Sequence, residues 1–543
     1  MRILSTILLI AFLTSCYQSE KADLIIHNAT IYSCDEAFQT YEAMAIKDGK
    51  IIQMGPEREI LNGYQCDEVI DLEKAPVFPG FHDAHCHFEG YALTLSEVDL
   101  TGSKSFNEVI ERLQKFDQEN ELSWIKGRGW DQTLWDSNAF PTKDTLDVLF
   151  PNTPIAIRRV DGHAALVNQA ALDIAGYDAN TKIDGGLIET REGRCTGILL
   201  DNAYDSLAIY IPELADEQLL TLIQEAENNL FEVGLTSIND AGLEANQRDR
   251  FIRWYEEGQL RIKNYAMLFP TANNLEWAGK NGDFKMNNLH IKSFKVIGDG
   301  ALGSRGACLL HPYSDAPHQH GFMLRDQEEF RAIAETAKAI NYQVNTHCIG
   351  DSSNRSILRL YKEVIGATSD HRWKIEHAQV LHPDDFELFE QYSIIPSVQP
   401  THCTSDMRWA EERLGADRVK FAYAYQDILD KAGIITLGTD FPIERISPLE
   451  TFYAAVSRMD KTGQPAGGFQ SENALTREDA LRGMTIWAAF SNFEEHEKGS
   501  LEAGKDADFV ILTKDIMTIP IDEVLNTFID KTYLKGELVY SAD

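Results

Sequence analysis

Eight short runs of apolar and β-branched residues punctuate the chain, at 77 to 87, 235 to 241, 261 to 268, 290 to 298, 342 to 348, 373 to 377, 393 to 399 and 434 to 440. Helical periodicity fills several of the gaps between them, as at 216 to 233 and 327 to 340. Strands alternating with helices predict parallel strands joined by crossovers, and eight of them predict an α/β fold, a (β/α)8 TIM barrel spanning 77 to 498. The interval 88 to 232 is far longer than one connection, which predicts an inserted α/β subdomain after the first strand. Residues 22 to 76 and 499 to 543 have a different texture, short alternating runs with turn signals such as Asp48-Gly49 and Gly55-Pro56. Each end is therefore expected to be a small β structure.

Several of these runs end on a residue that can bind a metal. The first closes with Phe-His-Asp-Ala-His-Cys-His, where alternation on a strand aims Asp83, His85 and His87 to one side and Ala84 and Cys86 to the other. Three later runs end on His347, His377 and Asp440, and a fourth carries Lys295. Parallel strands closed into a barrel bring their carboxyl ends to one mouth, so residues far apart in sequence can converge there. Cys86 and Cys348 stand next to these candidates but alternate away, as packing residues.

Together these motifs resemble the amidohydrolase superfamily, in particular its amidohydrolase-3 branch of metal-dependent hydrolases, which includes N-substituted formamide deformylase. The resemblance rests on Pro-Gly-Phe-x-Asp-x-His-x-His, Phe-Lys-Val-Ile-Gly-Asp-Gly-Ala-Leu-Gly-Ser-Arg, His-Cys-Ile-Gly-Asp, Ile-Glu-His-Ala-Gln, Gln-Pro-Thr-His and Gly-Thr-Asp-Phe-Pro, in family order across nearly the whole chain. It implies one or two divalent ions held by His85, His87, His347 and His377, with Asp440 as ligand and proton shuttle. It also implies that Lys295 occupies the position of a lysine that is carboxylated in relatives to bridge two metals. Both chain ends, 22 to 76 and 499 to 543, are implied to join into one β-sandwich beside the barrel. Zinc is the default ion for imidazole and carboxylate donors. The reaction implied is hydrolysis of a non-peptide carbon–nitrogen bond in a small molecule. An ester, lactone or phosphoester substrate stays open, as does a lipoprotein that binds a ligand without chemistry.

The inserted segment adds Gly127-Arg128-Gly129-Trp130-Asp131 and Arg158-Arg159-Val160-Asp161-Gly162-His163, which resemble family segments near the substrate pocket. Trp130, Arg159 and His163 are candidates to hold a substrate, and so are Arg305 and His402, which lie just past strand ends. Asp299 and Asp351 are candidates to cap helices or orient ligands. His82 alternates away from the ligand face and is read as structural.

Charge excludes one partner class. With 85 acidic against 50 basic residues the net charge is −35, so the surface repels polyanions and a nucleic acid is not expected. Residues 1 to 21 are a targeting segment: Arg2, an apolar stretch from Ile3 to Leu13, then Leu-Thr-Ser-Cys, which resembles a bacterial lipobox. That resemblance implies cleavage before Cys16, lipidation of its thiol and an exported, membrane-tethered protein, periplasmic or at the cell surface. Cys34 and Cys66 lie in one segment and are a candidate disulfide pair. Self-association is left open.

Overall fold

The computed structural model describes residues 20–120, 123–137, 139–159, 164–183, 185–366 and 370–542. The lipobox, Cys16 and His163 lie outside the described residues. The chain divides into two compact units, one made of residues up to 86 together with 228–543, the other of 87–227.

In the first unit, eight described strands run parallel in sequential order: β1 (Phe81–Cys86), β2 (Leu235–Leu243), β3 (Lys263–Leu268), β4 (Leu289–Ile297), β5 (Gln343–Cys348), β6 (Lys374–His377), β7 (Ile395–Val398) and β8 (Thr436–Leu437). This is the (β/α)8 TIM barrel expected from the pattern. Its helices follow from local chemistry. Gln327–Ala339, for example, starts at an Asp326 cap that accepts from the backbone of Glu328 and Glu329, with Glu329 returning the bond. Its buried residues, Phe330, Ile333, Ala334 and Ala337, recur at the spacing of one helix face.

The barrel closes where β8 meets β1. The Asp83 carboxylate accepts from Thr439 N (3.0 Å), Thr439 Oγ1 (2.6 Å) and His85 N (3.0 Å), and Asp440 N donates to His85 O over 2.7 Å. Gly438 permits that approach, since a Cβ there would lie 2.5 Å from His85 N and 2.7 Å from Asp83 Oδ1.

The run 77 to 87, expected as one strand, is two. Pro76–Pro79 pairs with Phe509–Leu512 and Thr30–Tyr32 in a sheet outside the barrel, and β1 begins after Gly80. Gly80 is the corner because an added Cβ would meet the Thr236 side chain at 2.3 Å. The outer sheet runs Glu537–Ser541, Ile529–Leu534, Phe509–Leu512, Pro76–Pro79, Thr30–Tyr32, Thr40–Tyr41. A second sheet, Lys50–Gly55, Ala43–Lys47, Leu24–His27, Glu68–Asp71, packs on it through Ile26, Ile31, Met44, Val77, Phe509, Ile511 and Tyr533. Both chain ends thus share one apolar core. Lys263 of β3 pairs with Asp506 (2.6 Å) and Asp508, which fastens the carboxyl-terminal segment to the barrel. Cys34 and Cys66 are both free: Cys34 is buried in the core and Cys66 is half-buried, its thiol donating to Glu68 O. No bridge joins them.

In the second unit the described strands form one mixed sheet in the order Glu97–Asp99, Ile125–Trp130, Ile155–Arg159, Ala164–Val167, Arg194–Asp201, Gly186–Arg191. The first three run parallel and the others antiparallel.

The barrel seam yields a stability prediction. Gly438→Ala, which forces a methyl against the β1 backbone, is expected to cost about 1–3 kcal/mol, read as a lower urea midpoint. A change under about 0.5 kcal/mol would contradict the seam as described.

Candidate metal centre

His85 sits at the end of β1 with no exposure, facing Glu376 of β6. Its Nδ1 lies 2.5 Å from Glu376 Oε2, so Nδ1 carries the hydrogen and Nε2 keeps its lone pair. Burial alone would raise the Glu376 pKa, but His85 and then Lys374 and Lys295 override it and hold the carboxylate at about 2. His85 is lowered, by burial first and by Lys295 second, and stays neutral. A charged carboxylate thus fixes the tautomer of a neutral imidazole, the arrangement metal-binding histidines require. His85 Nε2 accepts from Lys295 Nζ over 2.9 Å and lies 3.7 Å from Asp440 Oδ1.

His377 ends β6 directly after Glu376. Strict alternation would turn it away from Glu376, but its φ of +72° reverses the backbone there. The ring comes to 4.9 Å from His85 and 4.4 Å from His347, centroid to centroid. His377 Nδ1 lies 2.7 Å from Gln399 Oε1, an acceptor, which leaves Nε2 as its lone-pair nitrogen. Asp440 likewise follows β8 with φ +62°. His347 stays on the inward face of β5, and its Nε2 is buried without a hydrogen-bond partner. Burial, then Lys295, lowers His347 to about 3. Burial also drives His377 well below the usual imidazole value.

One donor atom each from His85, His377 and Asp440 lies within 4.8 Å of the others, all three residues buried. Neutral imidazoles with inward lone pairs, a carboxylate and the orphaned His347 nitrogen form a donor set that fits a divalent cation. Lys295 stands beside His85, and burial lowers its pKa. His87 is the cap residue of the helix Phe88–Leu95, at the start of the second unit.

His402, on the helix Pro400–Asp406 that follows β7, lies against Asp440: Nε2 is 3.1 Å from Oδ2. Its Nδ1 lies 3.2 Å from Glu444 Oε1. Burial opposes a charge on this ring, but the two carboxylates outweigh it and raise its pKa to about 10. Asp299 accepts from the backbone N–H of Cys308 (2.7 Å), Ile349 (2.9 Å) and Gly350 (2.9 Å), tying the loop after β4 to the end of β5. Asp351 accepts from Leu310 N. Both hold loops at the mouth, while the cap of the helix Asp351–Ile365 is Gly350.

The other substrate candidates have different places. Trp130 is fully buried in the core of the second unit, its indole N–H bonded to Ile157 O over 2.9 Å, so it packs that core and is not a clamp. Arg159 donates to Asp131 (2.7 Å) and Gln132 (2.8 Å), within its own unit. Arg305 grips Asp315 through two nitrogens, and Arg413 shares the same carboxylate, which braces the loop after β4. Sequence reasoning passed over Glu376, Gln399 and Glu444. For Glu376 the signal was a carboxylate inside a barrel strand directly before a candidate ligand, a position where an unpaired charge is rarely tolerated.

A model of the amidohydrolase family matches residues 68–540. The chain belongs to the amidohydrolase family. This amidohydrolase is 30% identical over 539 residues to Protein LONG AFTER FAR-RED 3 of Arabidopsis thaliana, covering 96% of this chain and 92% of that one. It is 25% identical over 546 residues to N-substituted formamide deformylase of Arthrobacter pascens, covering 96% and 99%. Among solved structures, an uncharacterized metal-dependent hydrolase from Pyrococcus horikoshii superposes with a TM-score of 0.77 at 29% identity, covering 92% of this chain and 99% of that one.

Glu376 is the buried counter-charge for Lys374 and the partner of His85, so Glu376→Ala is expected to destabilise the metal-free chain by about 3–5 kcal/mol. Glu376→Gln, which keeps an acceptor for His85, should cost less. Equilibrium urea unfolding measures both. An alanine variant as stable as wild type would refute the assignment.

Proposed function

We propose that this amidohydrolase hydrolyses a carbon–nitrogen bond of a small non-peptide amide with a divalent metal, zinc, held by His85, His347, His377 and Asp440. The observation that carries the reading is the buried convergence of His85, His377 and Asp440 donor atoms within 4.8 Å of one another. When bound, the ion supplies Lewis acidity, which lowers the pKa of water from 15.7 to about 7 and polarises a carbonyl.

The protein's own residues do the rest. Glu376 and Gln399 hold His85 and His377 in the tautomers that present Nε2. Asp440 is the one carboxylate among the clustered donors, and it serves as general base, taking a proton from the attacking water and delivering it to the leaving nitrogen. Burial favours the neutral amine of Lys295, the form that carbon dioxide carboxylates with loss of a proton, and we assign that modification to it. The deformylase of A. pascens, similar over 96% of this chain, favours N-formyl and N-acyl amines as the first substrates to try. For the amino terminus, Leu13 to Cys16 supports an exported lipoprotein anchored through Cys16.

Three outcomes test this reading. A panel of N-formyl and N-acyl amines should be hydrolysed, chelation should abolish turnover and zinc should restore it; activity confined to esters, lactones or phosphoesters would contradict the bond class. Asp440→Asn should lower kcat by about 10²- to 10⁴-fold with far less effect on KM; an Asn variant with bound metal and wild-type turnover would remove Asp440 from the role. Cys16→Ser should shift the expressed protein from the membrane to the soluble fraction, and an unchanged membrane fraction would rule out the lipid anchor.

A further inference from the structure

The helix leaving β7 and the loop leaving β8 meet beside Asp440. His402 and Ser405 stand three residues apart on Pro400–Asp406, and both reach Glu444 Oε1: the ring through Nδ1 at 3.2 Å, the serine by donating its hydroxyl over 2.7 Å. The other ring nitrogen of His402 meets Asp440 Oδ2 at 3.1 Å. The same ring lies nearly parallel to His377, with centroids 6.1 Å apart and planes 24° apart. Asp440 Oδ1 is the oxygen turned to the imidazole cluster, 3.7 Å from His85 Nε2. The carboxylate is therefore divided, one oxygen toward His402 and one toward the other donors.

We propose that Glu444 is a positioning residue, which through His402 fixes the rotation of the Asp440 carboxylate so that Oδ1 faces the cation. The inference rests on the metal site proposed above and adds a residue to it. An aspartate carboxylate rotates in a broad, shallow well about its last bond, so its orientation must come from what its oxygens touch. His402 supplies a donor to Oδ2, and Glu444 holds that donor in line from the far side. Ser405 fixes Glu444 in turn. The Glu444 side chain is 22% exposed and that of His402 13%, so both are largely sheltered at the edge of the site. The effect of Glu444 is geometric, and hydrogen-bonded partners of this kind set ligand orientation in metal sites.

The test uses the full chain as Glu444→Ala and Glu444→Gln, with zinc affinity read by chelator competition and ligand geometry read from the visible absorption of the cobalt(II)-loaded protein. Glu444→Ala should bind zinc about 10- to 100-fold more weakly, with an altered cobalt spectrum and an unchanged melting temperature of the metal-free chain. Glu444→Gln retains an acceptor for His402 Nδ1 and should recover most of the affinity and the wild-type spectrum. Wild-type affinity and spectrum in Glu444→Ala, or no recovery in Glu444→Gln, would overturn the proposal. Should Glu444→Ala fail to fold, His402→Gln is expected to weaken zinc over the same range, and wild-type affinity there would also overturn it. Failure of the metal reading itself looks different: the wild-type chain would take up no zinc.

Discussion

The site depends on the seam between the last barrel strand and the first. Asp83 holds Thr439 by backbone and hydroxyl, Asp440 N–H bonds to His85 O, and Gly438 leaves room for both. One set of contacts thereby closes the barrel and sets the Asp440 carboxylate beside the first histidine. The stability of the fold and the geometry of the chemistry are the same hydrogen bonds. This explains why a residue 355 positions from His85 in sequence lies 3.7 Å from it in space.

Around that seam the electrostatics favour donors over charges. Burial keeps His85, His347 and His377 neutral, which preserves their lone pairs, while Glu376 remains charged because His85, Lys374 and Lys295 surround it. A buried carboxylate among lysines and imidazoles is costly unless its bonds are well made. Here it bonds to His85 and fixes the tautomer of that ring. His402 is the contrasting case: flanked by Asp440 and Glu444, it is raised to about 10, whereas burial lowers His85, His347 and His377.

Much of this was legible in the sequence, and the limits have physical causes. Periodicity located the eight barrel strands, because each is a short apolar run ending at a loop. Alternation correctly put His85 on the inner face. It could not foresee that left-handed backbone at His377 and Asp440 would turn side chains inward from positions that alternation does not define. It also read 77 to 87 as one strand, since a corner at Gly80 depends on Thr236, far along the chain. Trp130 looked like a substrate clamp because its glycine-rich surroundings resembled a pocket segment. Its actual neighbours, including Trp135 and Phe140, come from residues that no local pattern connects to it. Gln399 and Glu444 meet His377 and His402 across strands and loops, so nothing in their own segments announces them, whereas Glu376 stood out only as a carboxylate inside a barrel strand.

The central claim is that dispersed imidazoles and one carboxylate gather around a single cation centre. A crystal structure of the zinc-loaded chain, with anomalous diffraction recorded on both sides of the zinc edge, tests it most directly. The account predicts the strongest anomalous peak within coordinating distance of His85, His377 and Asp440. A zinc-replete crystal with its peak elsewhere, or with none at those three residues, would contradict it.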